Sequence, residues 1–489
     1  MNTTEETLDP SNWNEMGELG IQMVTDMMYN LSTVRDRKVW QAPTEDVKKY
    51  FRQHVPEEGD SIENIYADFK SKILPYPTGN IHPRFWGWVM GNGSPLAMLA
   101  DMLSSGVNLN QGGGNQVGSL VEAQVIEWFK ELFGFPAEAS GLIVSGGSMA
   151  NLIGLTVARF AHADFDLRKE GLYGSQKRMT VYASKEVHNC VNKSADLLGL
   201  GSDSLRFIDV NENYEIDLEK LRQQIGEDRK AGMKPFCVVG NAVTVNTGAC
   251  DDINALADLC EEEKLWFHID GAIGAVLQLS EKYKHLVKGM ERADSIAFDL
   301  HKWMYIPYEA GCCLVRKKDQ HYKAFSLQAA YLQHEKRGLS AGETWFSDYG
   351  IELSRGFKAL KIWMSLKEHG CKKFGRMVTQ NIEQVQYLKS LVESHADLEL
   401  TAPAPLNILC FRYTGGIKDN EILNRLNKEL LLQLHESGVA VPSYTTLNGK
   451  YSLRVANTNH RTVKKDFNIL IDKVLELGRE IEKADLVSQ

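Results

Sequence analysis

Short apolar runs alternate with amphipathic stretches through the middle of the chain. The run MTVYAS (179–184) precedes a helical pattern at 189–199, and the runs PFCVVGNAV (235–243) and WFHID (266–270) flank another at 253–264. This rhythm of strands and helices is typical of a mostly parallel sheet with helices on both faces. We therefore predict an α/β fold, with further strands in the apolar runs at 142–144, 296–298 and 312–315.

The two ends of the chain carry other patterns. Apolar residues recur at helical spacing from Met16 to Leu31, and a second helix is predicted after Thr44. This N-terminal segment has no core of its own, so it must dock on the main body or on another subunit. An amphipathic helix is predicted over 351–370, and the alternation of strands and helices beyond it predicts an α+β terminal domain.

The composition is that of an ordinary globular protein. Of the 489 residues, 43% are hydrophobic and 24% are charged, and the formal net charge of −9 argues against nucleic acids and anionic membranes as partners. The N-terminus lacks the pattern of a secretory signal, and no apolar run approaches the roughly 18 residues of a membrane span. The eight cysteines are scattered, so we predict neither disulfides nor a metal site, and a reducing cytoplasm as the location.

A glycine-rich turn between a strand and a helix is the first candidate site. Residues 145–148 read Ser-Gly-Gly-Ser, between the strand at 142–144 and a helical pattern that runs to about 160. The N–H groups and the dipole at the start of a helix favour an anion, and glycines leave room for it. The turn matches neither of the nucleotide-binding motifs G-x-x-x-x-G-K-[ST] and G-x-G-x-x-G. Taken alone, it is better explained as a plain capped turn.

A lysine at the end of a strand is the second candidate site. Lys302 follows the apolar run at 296–298, and a buried ammonium is costly unless its amine has a chemical task. The alternative is a lysine that reaches solvent from the strand end. His188, Thr244 and Asp270 also follow predicted strands, where parallel sheets bind their ligands. This coincidence favours one shared site, although Asp270 could cap the next segment and His188 could be an ordinary loop histidine.

A loop rich in proline and glycine, at 74–95, holds an unusual cluster of aromatic residues. Its members are His82, Phe85, Trp86 and Trp88. They form either a hydrophobic plug or the aromatic wall of a pocket, and the sequence favours neither over the other.

Taken together, these motifs resemble one enzyme family. The segments HPRFWGWV, SGGSMAN, WFHIDGA, DLHKW and LSRGFKALKIW are similar to those of the group II pyridoxal-phosphate-dependent decarboxylases, which include aromatic amino acid and glutamate decarboxylases. Each segment is a weak signal, but the combination is specific and covers nearly the whole chain. The resemblance implies a fold-type I architecture with a seven-stranded sheet, pyridoxal 5′-phosphate (PLP) as the cofactor, and a homodimer with shared active sites.

The resemblance also implies a division of the chain into three parts. Residues 1–84 are expected to form a helical arm exchanged between subunits, 85–355 the large PLP-binding domain and 356–489 the small domain. The polar, irregular segment at 320–348 is expected to act as a lid over the site.

Carried over position by position, the resemblance assigns a role to each candidate residue. Lys302 is expected to bind the cofactor's aldehyde, Asp270 to pair with its ring nitrogen, and Tyr331 or His188 to deliver a proton to the substrate carbon. The other expected cofactor contacts are Gly147, Ser148 and His301 at the phosphate, Thr244 near the ring hydroxyl, and Ala272 and His188 on the two ring faces. The expected substrate pocket consists of His82, Phe85, Trp86 and Trp88.

Several functions stay open within this class. The aromatic loop favours tryptophan, tyrosine, phenylalanine or dopa as the substrate of a decarboxylase. The alternative is an acidic substrate such as glutamate, aspartate or cysteine sulfinate, with Arg84 as the candidate cation. The presence of both Tyr331 and His188 favours decarboxylation over aldehyde formation, because aldehyde-forming members typically replace one of the two. A PLP-dependent C–C lyase and a non-enzymatic binding module fit the sequence less well.

The sequence departs from the family pattern in two places. Val243 and Val245 stand where the segment AVTVNTG usually has a glycine and a threonine. Asp299-Leu300 replaces the asparagine-proline that is common in animal members. The first departure removes a hydroxyl and is expected to reshape the pocket beside the ring.

Overall fold

A seven-stranded sheet forms the centre of the chain in the computed structural model, which describes residues 6–327 and 335–487. The strands in these residues are β1 (Phe85–Trp86), β2 (Ser140–Val144), β3 (Met179–Ser184), β4 (Leu205–Ile208), β5 (Lys234–Asn241), β6 (Trp266–Asp270), β7 (Ser295–Asp299), β8 (Gly311–Val315), β9 (Leu398–Leu400), β10 (Ile408–Tyr413), β11 (Val441–Leu447) and β12 (Lys450–Ala456). The large sheet has the order β2-β8-β7-β6-β5-β3-β4. Neighbours from β7 to β4 are parallel, whereas β8 is antiparallel to both β2 and β7. The predicted mostly parallel α/β sheet of seven strands is therefore confirmed.

Helices cover this sheet. In the described residues they are α1 (Trp13–Ser32), α2 (Glu45–Tyr50), α3 (Ile62–Asp68), α4 (Pro95–Val107), α5 (Val117–Phe133), α6 (Gly147–His162), α7 (Leu167–Glu170), α8 (Asn189–Leu197), α9 (Leu218–Lys230), α10 (Ile253–Glu263), α11 (Leu300–Trp303), α12 (Lys318–Phe325), α13 (Ala359–Ser394), α14 (Asn420–Ser437) and α15 (Lys464–Val487). Helix α6 packs across β5 to β8, and α9 and α10 pack on β4 to β6. Every residue of β3, β6, β7 and β8 is buried, as strands covered by helices on both faces of the sheet require. Among these described helices, none has both the length and the apolar composition needed to span a membrane.

A second, five-stranded sheet lies in the C-terminal part of the chain, in the order β1-β11-β12-β10-β9. Its edge strand comes from far upstream, because Phe85 and Trp86 pair in parallel with Val441 and Pro442. Strand β1, at the start of the predicted large domain, therefore belongs to the small sheet. The division of the chain into three parts stays a prediction.

The long helix α13 connects the two sheets. It contacts α4 and α5 beside the large sheet, and β9, β10 and α15 beside the small one. At Gly370 the backbone leaves the helical conformation with a φ of 67°, which glycine tolerates best. The helix predicted from residue 351 begins only at Ala359, because the buried side chain of Arg355 anchors the preceding loop to Glu122 and to the carbonyl of Ile143.

The N-terminal arm shows the predicted helix. No residue of α1 is buried, and Trp13, Ile21 and Tyr29 are exposed. The arm is attached further along, where Arg35 donates to Asp466 of the small domain at 2.6 Å. The described chain therefore half-buries Met16, Leu19, Met27 and Leu31 of this helix but leaves Trp13, Ile21 and Tyr29 exposed.

Candidate active site

A cavity of about 270 Å³ opens beyond the carboxyl ends of β5, β6 and β7. Asp270 is the last residue of β6, and Lys302 lies in the short helix α11 directly after β7. The register of the sheet places Asp270 beside Asn241 of β5 and Ala297 of β7. The cavity has a charged wall, with Asp270, Lys302 and His188, and an apolar wall, with Trp88, Val243, Val245, Ile273 and Tyr444.

Lys302 forms the centre of the charged wall. Its ammonium lies 2.8 Å from Oδ2 of Asp299, the last residue of β7, and its side chain is 20% exposed. Burial lowers the pKa of Lys302, but the carboxylates of Asp299 and Asp270 outweigh this effect, so the net pKa lies above the ordinary value. The amine is therefore a cation held mainly by Asp299.

Asp270 places a second buried carboxylate in this wall. It is 6% exposed, and its Oδ1 accepts the N–H of Ala272 at 3.1 Å. The N–H of Gly271 donates to the carbonyl of Ala297 at 2.8 Å, which holds the turn after β6 against β7. The carboxylate is thus fixed at the cavity, where it can accept a hydrogen bond from a cationic ligand group.

His188 lines the same cavity at the start of α8. Its Nδ1 accepts the N–H of Cys190 at 3.2 Å, so a neutral ring carries its proton on Nε2. Partial burial lowers the pKa of His188, and the nearby charge of Asp270 opposes this shift without reversing it. Near pH 7 the ring is therefore neutral and offers an N–H donor.

The glycine turn before α6 adjoins the charged wall. A Cβ atom on Gly147 would lie 2.7 Å from Oδ2 of Asp299 and 3.2 Å from the methyl of Ala272, so only glycine fits there. The first N–H groups of the 16-residue helix α6 lack partners within the helix, and the exposed Ser148 adds a hydroxyl. The turn is therefore built to receive an anion.

His301 lies on the other side of this turn. A Cβ atom on Gly146 would lie 2.9 Å from its Cε1. Its Nδ1 accepts the N–H of Ala310 at 3.1 Å, and its ring packs on Tyr308 with centroids 4.5 Å apart. Burial lowers the pKa of His301, so the ring is neutral near pH 7, with its proton on Nε2.

The structure brings most of the predicted cofactor residues together. Lys302, Asp270, His188 and Ala272 line the cavity with Trp88. Gly147 and Ser148 belong to the adjoining turn, and His301 lies beside it. Tyr331 lies outside the described residues, and its role as a proton donor stays a prediction. Within the described chain, no group of three or more His, Cys, Asp or Glu is placed to hold a metal ion.

Four predicted residues do not line this cavity, and their assigned roles stay predictions. Thr244 is buried with its Oγ1 3.2 Å from Oγ1 of Thr247, and it does not line the cavity. Phe85 packs with Val39 and Val441 beside the small sheet. Trp86 is buried inside the core of that sheet, where its ring stacks on Phe467 at 4.8 Å and its Nε1–H donates to Thr462. His82 is buried in the same region, with its Nδ1 accepting the N–H of Arg84. For Phe85, Trp86 and His82 the reason is the pairing of β1 with β11, because it draws their loop into the small domain.

Two residues of the apolar wall have a left-handed backbone. Val243 has a φ of 73° and Trp88 a φ of 50°. Such a conformation costs a residue with a Cβ atom about 1–2 kcal/mol, and backbone strain of this kind clusters at ligand sites. Glycine, the usual residue of the family at this position, is thus the residue that the backbone favours. In this chain the side chain of Val243 forms part of the cavity wall instead.

Arg454 also lines the cavity, and sequence reasoning missed it. It is 3% exposed on β12, and its guanidinium donates to the carbonyls of Trp88, Val245 and Asn246 and to the hydroxyl of Ser443. Burial lowers the pKa of Arg454 to about 10, which leaves it cationic near pH 7. The sequence contained one signal for a functional residue here, an arginine inside the apolar run YSLRVA of β12. The sequence alone does not show that β12 reaches the cavity, because only the fold brings them together.

Known proteins with similar sequences and folds define the family. The model of the pyridoxal-dependent decarboxylase conserved domain matches residues 44–414. The aromatic-L-amino-acid decarboxylase of Bacillus atrophaeus is 34% identical over 475 residues, which cover 96% of each chain. The phenylacetaldehyde synthase of Arabidopsis thaliana is 27% identical over 486 residues, which cover 96% of this chain and 98% of the relative. The crystal structure of Oryza sativa TDC with PLP and tryptamine superposes with a TM-score of 0.89 at 22% identity, covering 97% of this chain and 100% of the other.

The sheet topology and the match to the family model place the chain among the PLP-dependent enzymes of fold type I. Within that class it belongs to the pyridoxal-dependent decarboxylase family, as an amino acid decarboxylase with PLP as its cofactor. The cavity fits this group, because a buried amine and a buried carboxylate adjoin a glycine turn that any Cβ atom would fill.

Proposed function

We propose that the substrate is an L-amino acid with an aromatic side chain, which the protein converts to the amine and CO₂. The apolar wall carries this proposal, because Trp88, Val243, Val245 and Tyr444 line the same cavity as Lys302. A flat apolar side chain would bury its surface against these residues without leaving a charge unpaired. The 34% identity to an aromatic-L-amino-acid decarboxylase supports the same substrate class.

An acidic substrate has less support. Arg84, the candidate cation, does not line the cavity, and its Nε–H donates to the carbonyl of Val439 at 2.7 Å. Arg454 does line it, but its guanidinium already makes four hydrogen bonds to the protein. A guanidinium has five N–H groups, so too few are left for a two-point contact with a distal carboxylate.

We assign a task to each residue of the charged wall. PLP, when bound, supplies the electron sink for the carbon–carbon bond that breaks. Lys302 is the amine that holds it, and the negative charge of Asp270 favours a proton on a ring nitrogen placed beside it. The neutral His188 offers its Nε2–H to orient a carboxylate or to pass a proton. The apolar wall keeps water away from these groups.

A panel of amino acids tests the proposal. Amine and CO₂ release is measured for tryptophan, tyrosine, phenylalanine, dopa, histidine, glutamate, aspartate and cysteine sulfinate. We expect kcat/KM for the best aromatic substrate to exceed that for glutamate by at least about a hundredfold, because an acidic side chain would meet an apolar wall. A preference for glutamate would refute the proposed substrate class.

The same reactions test a second candidate, aldehyde formation, which the similarity to a phenylacetaldehyde synthase raises. Aldehyde and hydrogen peroxide are assayed beside the amine. We expect amine as the main product, because His188 is present in the cavity. Peroxide formed in step with CO₂ would assign the chain to the aldehyde-forming members instead.

Val243 is expected to limit the size of the substrate side chain. The variant Val243→Gly removes an apolar side chain from the cavity at a position whose φ of 73° suits glycine. We expect the ratio of kcat/KM for tryptophan to that for phenylalanine to rise about tenfold, since the larger ring gains the space. Steady-state kinetics with both substrates measure this ratio.

A second left-handed residue provides the control. Asn448 has a φ of 50° in the turn between β11 and β12, and it does not line the cavity. Asn448→Gly should change the backbone in the same way and leave the substrate ratio unaltered. An unchanged ratio in Val243→Gly would show that this side chain does not limit the substrate.

We further propose a homodimer in which a second copy covers the arm. The exposed Trp13, Ile21 and Tyr29 on α1, together with Met102 and Leu103 on α4, support this assembly. Light scattering after size-exclusion chromatography should give twice the chain mass of 55.0 kDa. A fully active species at the single-chain mass would refute the dimer.

Two more predictions stay proposals. We propose a cytoplasmic location, which the eight free cysteines support. We also propose that the segment 320–348 acts as a lid. Helix α12 (Lys318–Phe325) includes the beginning of this segment, and residues 328–334 lie outside the described chain.

A further inference from the structure

Asp299 places a buried carboxylate against the turn that is built for an anion. It ends β7 and is 3% exposed. A Cβ atom on Gly147 would lie 2.7 Å from its Oδ2, and one on Gly311 would lie 3.0 Å from its Oδ1. Because these two glycines have no side chains, nothing at their Cβ positions lies between the carboxylate and the space of the turn.

The two oxygens of Asp299 have different surroundings. Oδ2 lies 2.8 Å from the ammonium of Lys302. Oδ1 is buried and has no hydrogen-bond partner among the described residues. Nε2 of His301 lies 3.7 Å from Oδ1, which is beyond hydrogen-bonding distance. One buried acceptor is thus left free beside the anion site.

Few neighbouring groups can balance an added negative charge. Burial lowers the pKa of both His301 and His188, so these rings are neutral near pH 7. Burial raises the pKa of Cys190 and of Tyr308, so both keep their protons. The cation of Lys302 is paired with Asp299 at 2.8 Å, and it also feels the negative charge of Asp270.

A phosphate monoester is mostly dianionic above its second pKa of about 6. Two anionic oxygen groups in contact cannot both stay fully ionised in a buried site, and they share a proton instead. We propose that Asp299 takes up one proton from solvent when the phosphate of PLP binds, and that this proton bridges its free Oδ1 and a phosphate oxygen. The inference rests on the proposed phosphate site at Gly147.

A simpler role for Asp299 predicts a different result. If the carboxylate stayed ionised and only oriented Lys302, phosphate binding would take up no proton at this residue. Replacing it by asparagine would then disturb Lys302 without changing how phosphate affinity depends on pH. The two roles are therefore distinguished by the pH dependence of binding and not by activity.

Pyridoxine 5′-phosphate is the appropriate probe, because it carries the same phosphate but has an alcohol where PLP has its aldehyde. It therefore binds without reacting with Lys302. Its Kd is measured by titration calorimetry between about pH 6.5 and about pH 8.5, in two buffers with different ionisation enthalpies that report proton uptake. Wild type is expected to take up one proton and to lose affinity about tenfold per pH unit at the alkaline end.

Asp299→Asn should remove this dependence. The amide offers a neutral N–H donor to the phosphate, so we expect an affinity that varies less than about threefold over the range and exceeds that of wild type at alkaline pH. The control is Asp294→Asn, a half-buried aspartate just before the other end of β7, which accepts the N–H of Phe267. It should behave like wild type.

Three results would overturn the proposal. Equal pH slopes in wild type and Asp299→Asn would place the proton on the phosphate alone. Weaker binding of Asp299→Asn at every pH would show that the charge itself is needed. Normal binding by wild type without proton uptake would refute this role of Asp299 but leave the phosphate site intact, whereas no binding at all would refute both.

Discussion

Replacing Lys302 by alanine is expected to lower kcat/KM by at least about a thousandfold and to abolish covalent retention of PLP. No other lysine of the described residues lines the cavity, and the amine of Lys302 is already held by Asp299 at 2.8 Å. No neighbouring amine can therefore take its place. The measurements are turnover of the best substrate in the panel, and borohydride reduction of the holoenzyme followed by peptide mapping.

The control for this variant is a buried lysine elsewhere. Lys361 on α13 is 3% exposed and lies 3.1 Å from Asp101, so like Lys302 it is a lysine with an aspartate partner, and it is the more deeply buried of the two. Lys361→Ala should keep the label on the peptide that carries Lys302 and keep turnover per folded molecule. Finding the reduced label on another peptide of wild type would remove the basis for the assigned site.

The strands were the most predictable part of the fold. MTVYAS and WFHID coincide with β3 and β6 residue for residue, because covered parallel strands are apolar on both faces and end at turn residues. The position of β8 between β2 and β7 was not predictable. The sequence GCCLV contains no local signal for a strand that is antiparallel to both neighbours, because strand direction depends on partners far away in the sequence.

The aromatic loop shows why the site was only partly predictable. Trp86 and Trp88 are two residues apart, yet one is buried in the core of the small sheet and the other lines the cavity. Two facts separate them: β1 pairs with β11, more than 350 residues downstream, and the backbone turns left-handed at Trp88. Neither fact has a local signal, because tryptophan is not a residue that favours positive φ.

A similar limit applies to the segment after β5. The sequence pointed to Thr244, which carries a hydroxyl, but the cavity is lined by Val243 and Val245 on either side of it. The backbone fixes this alternation, since Thr244 donates its N–H to the carbonyl of Ala249 and turns its hydroxyl to Thr247. The residue types of this segment thus indicated that it lies at the cavity. The hydrogen bonds of the turn determine which of its side chains line the cavity.

Replacing Asp270 by asparagine is expected to lower kcat about 10²- to 10³-fold while PLP still binds. The amide oxygen can still accept the N–H of Ala272, so the turn after β6 should keep its shape. The change removes the buried negative charge and with it the force that holds a proton on a nearby ring nitrogen. The variant is compared with wild type by kcat and by the absorbance of the bound cofactor.

Two further variants separate charge from structure. Asp270→Glu keeps the charge but adds a methylene at a site that is 6% exposed, so its loss of kcat should be smaller than that of the asparagine variant. Asp228→Asn removes another buried carboxylate, one that binds Arg206 and Tyr182 away from the cavity, and should leave kcat per folded molecule unchanged. If Asp270→Asn kept kcat within about threefold of wild type, the charge of Asp270 would have no catalytic role, since a hydrogen bond to Ala272 alone would then be sufficient.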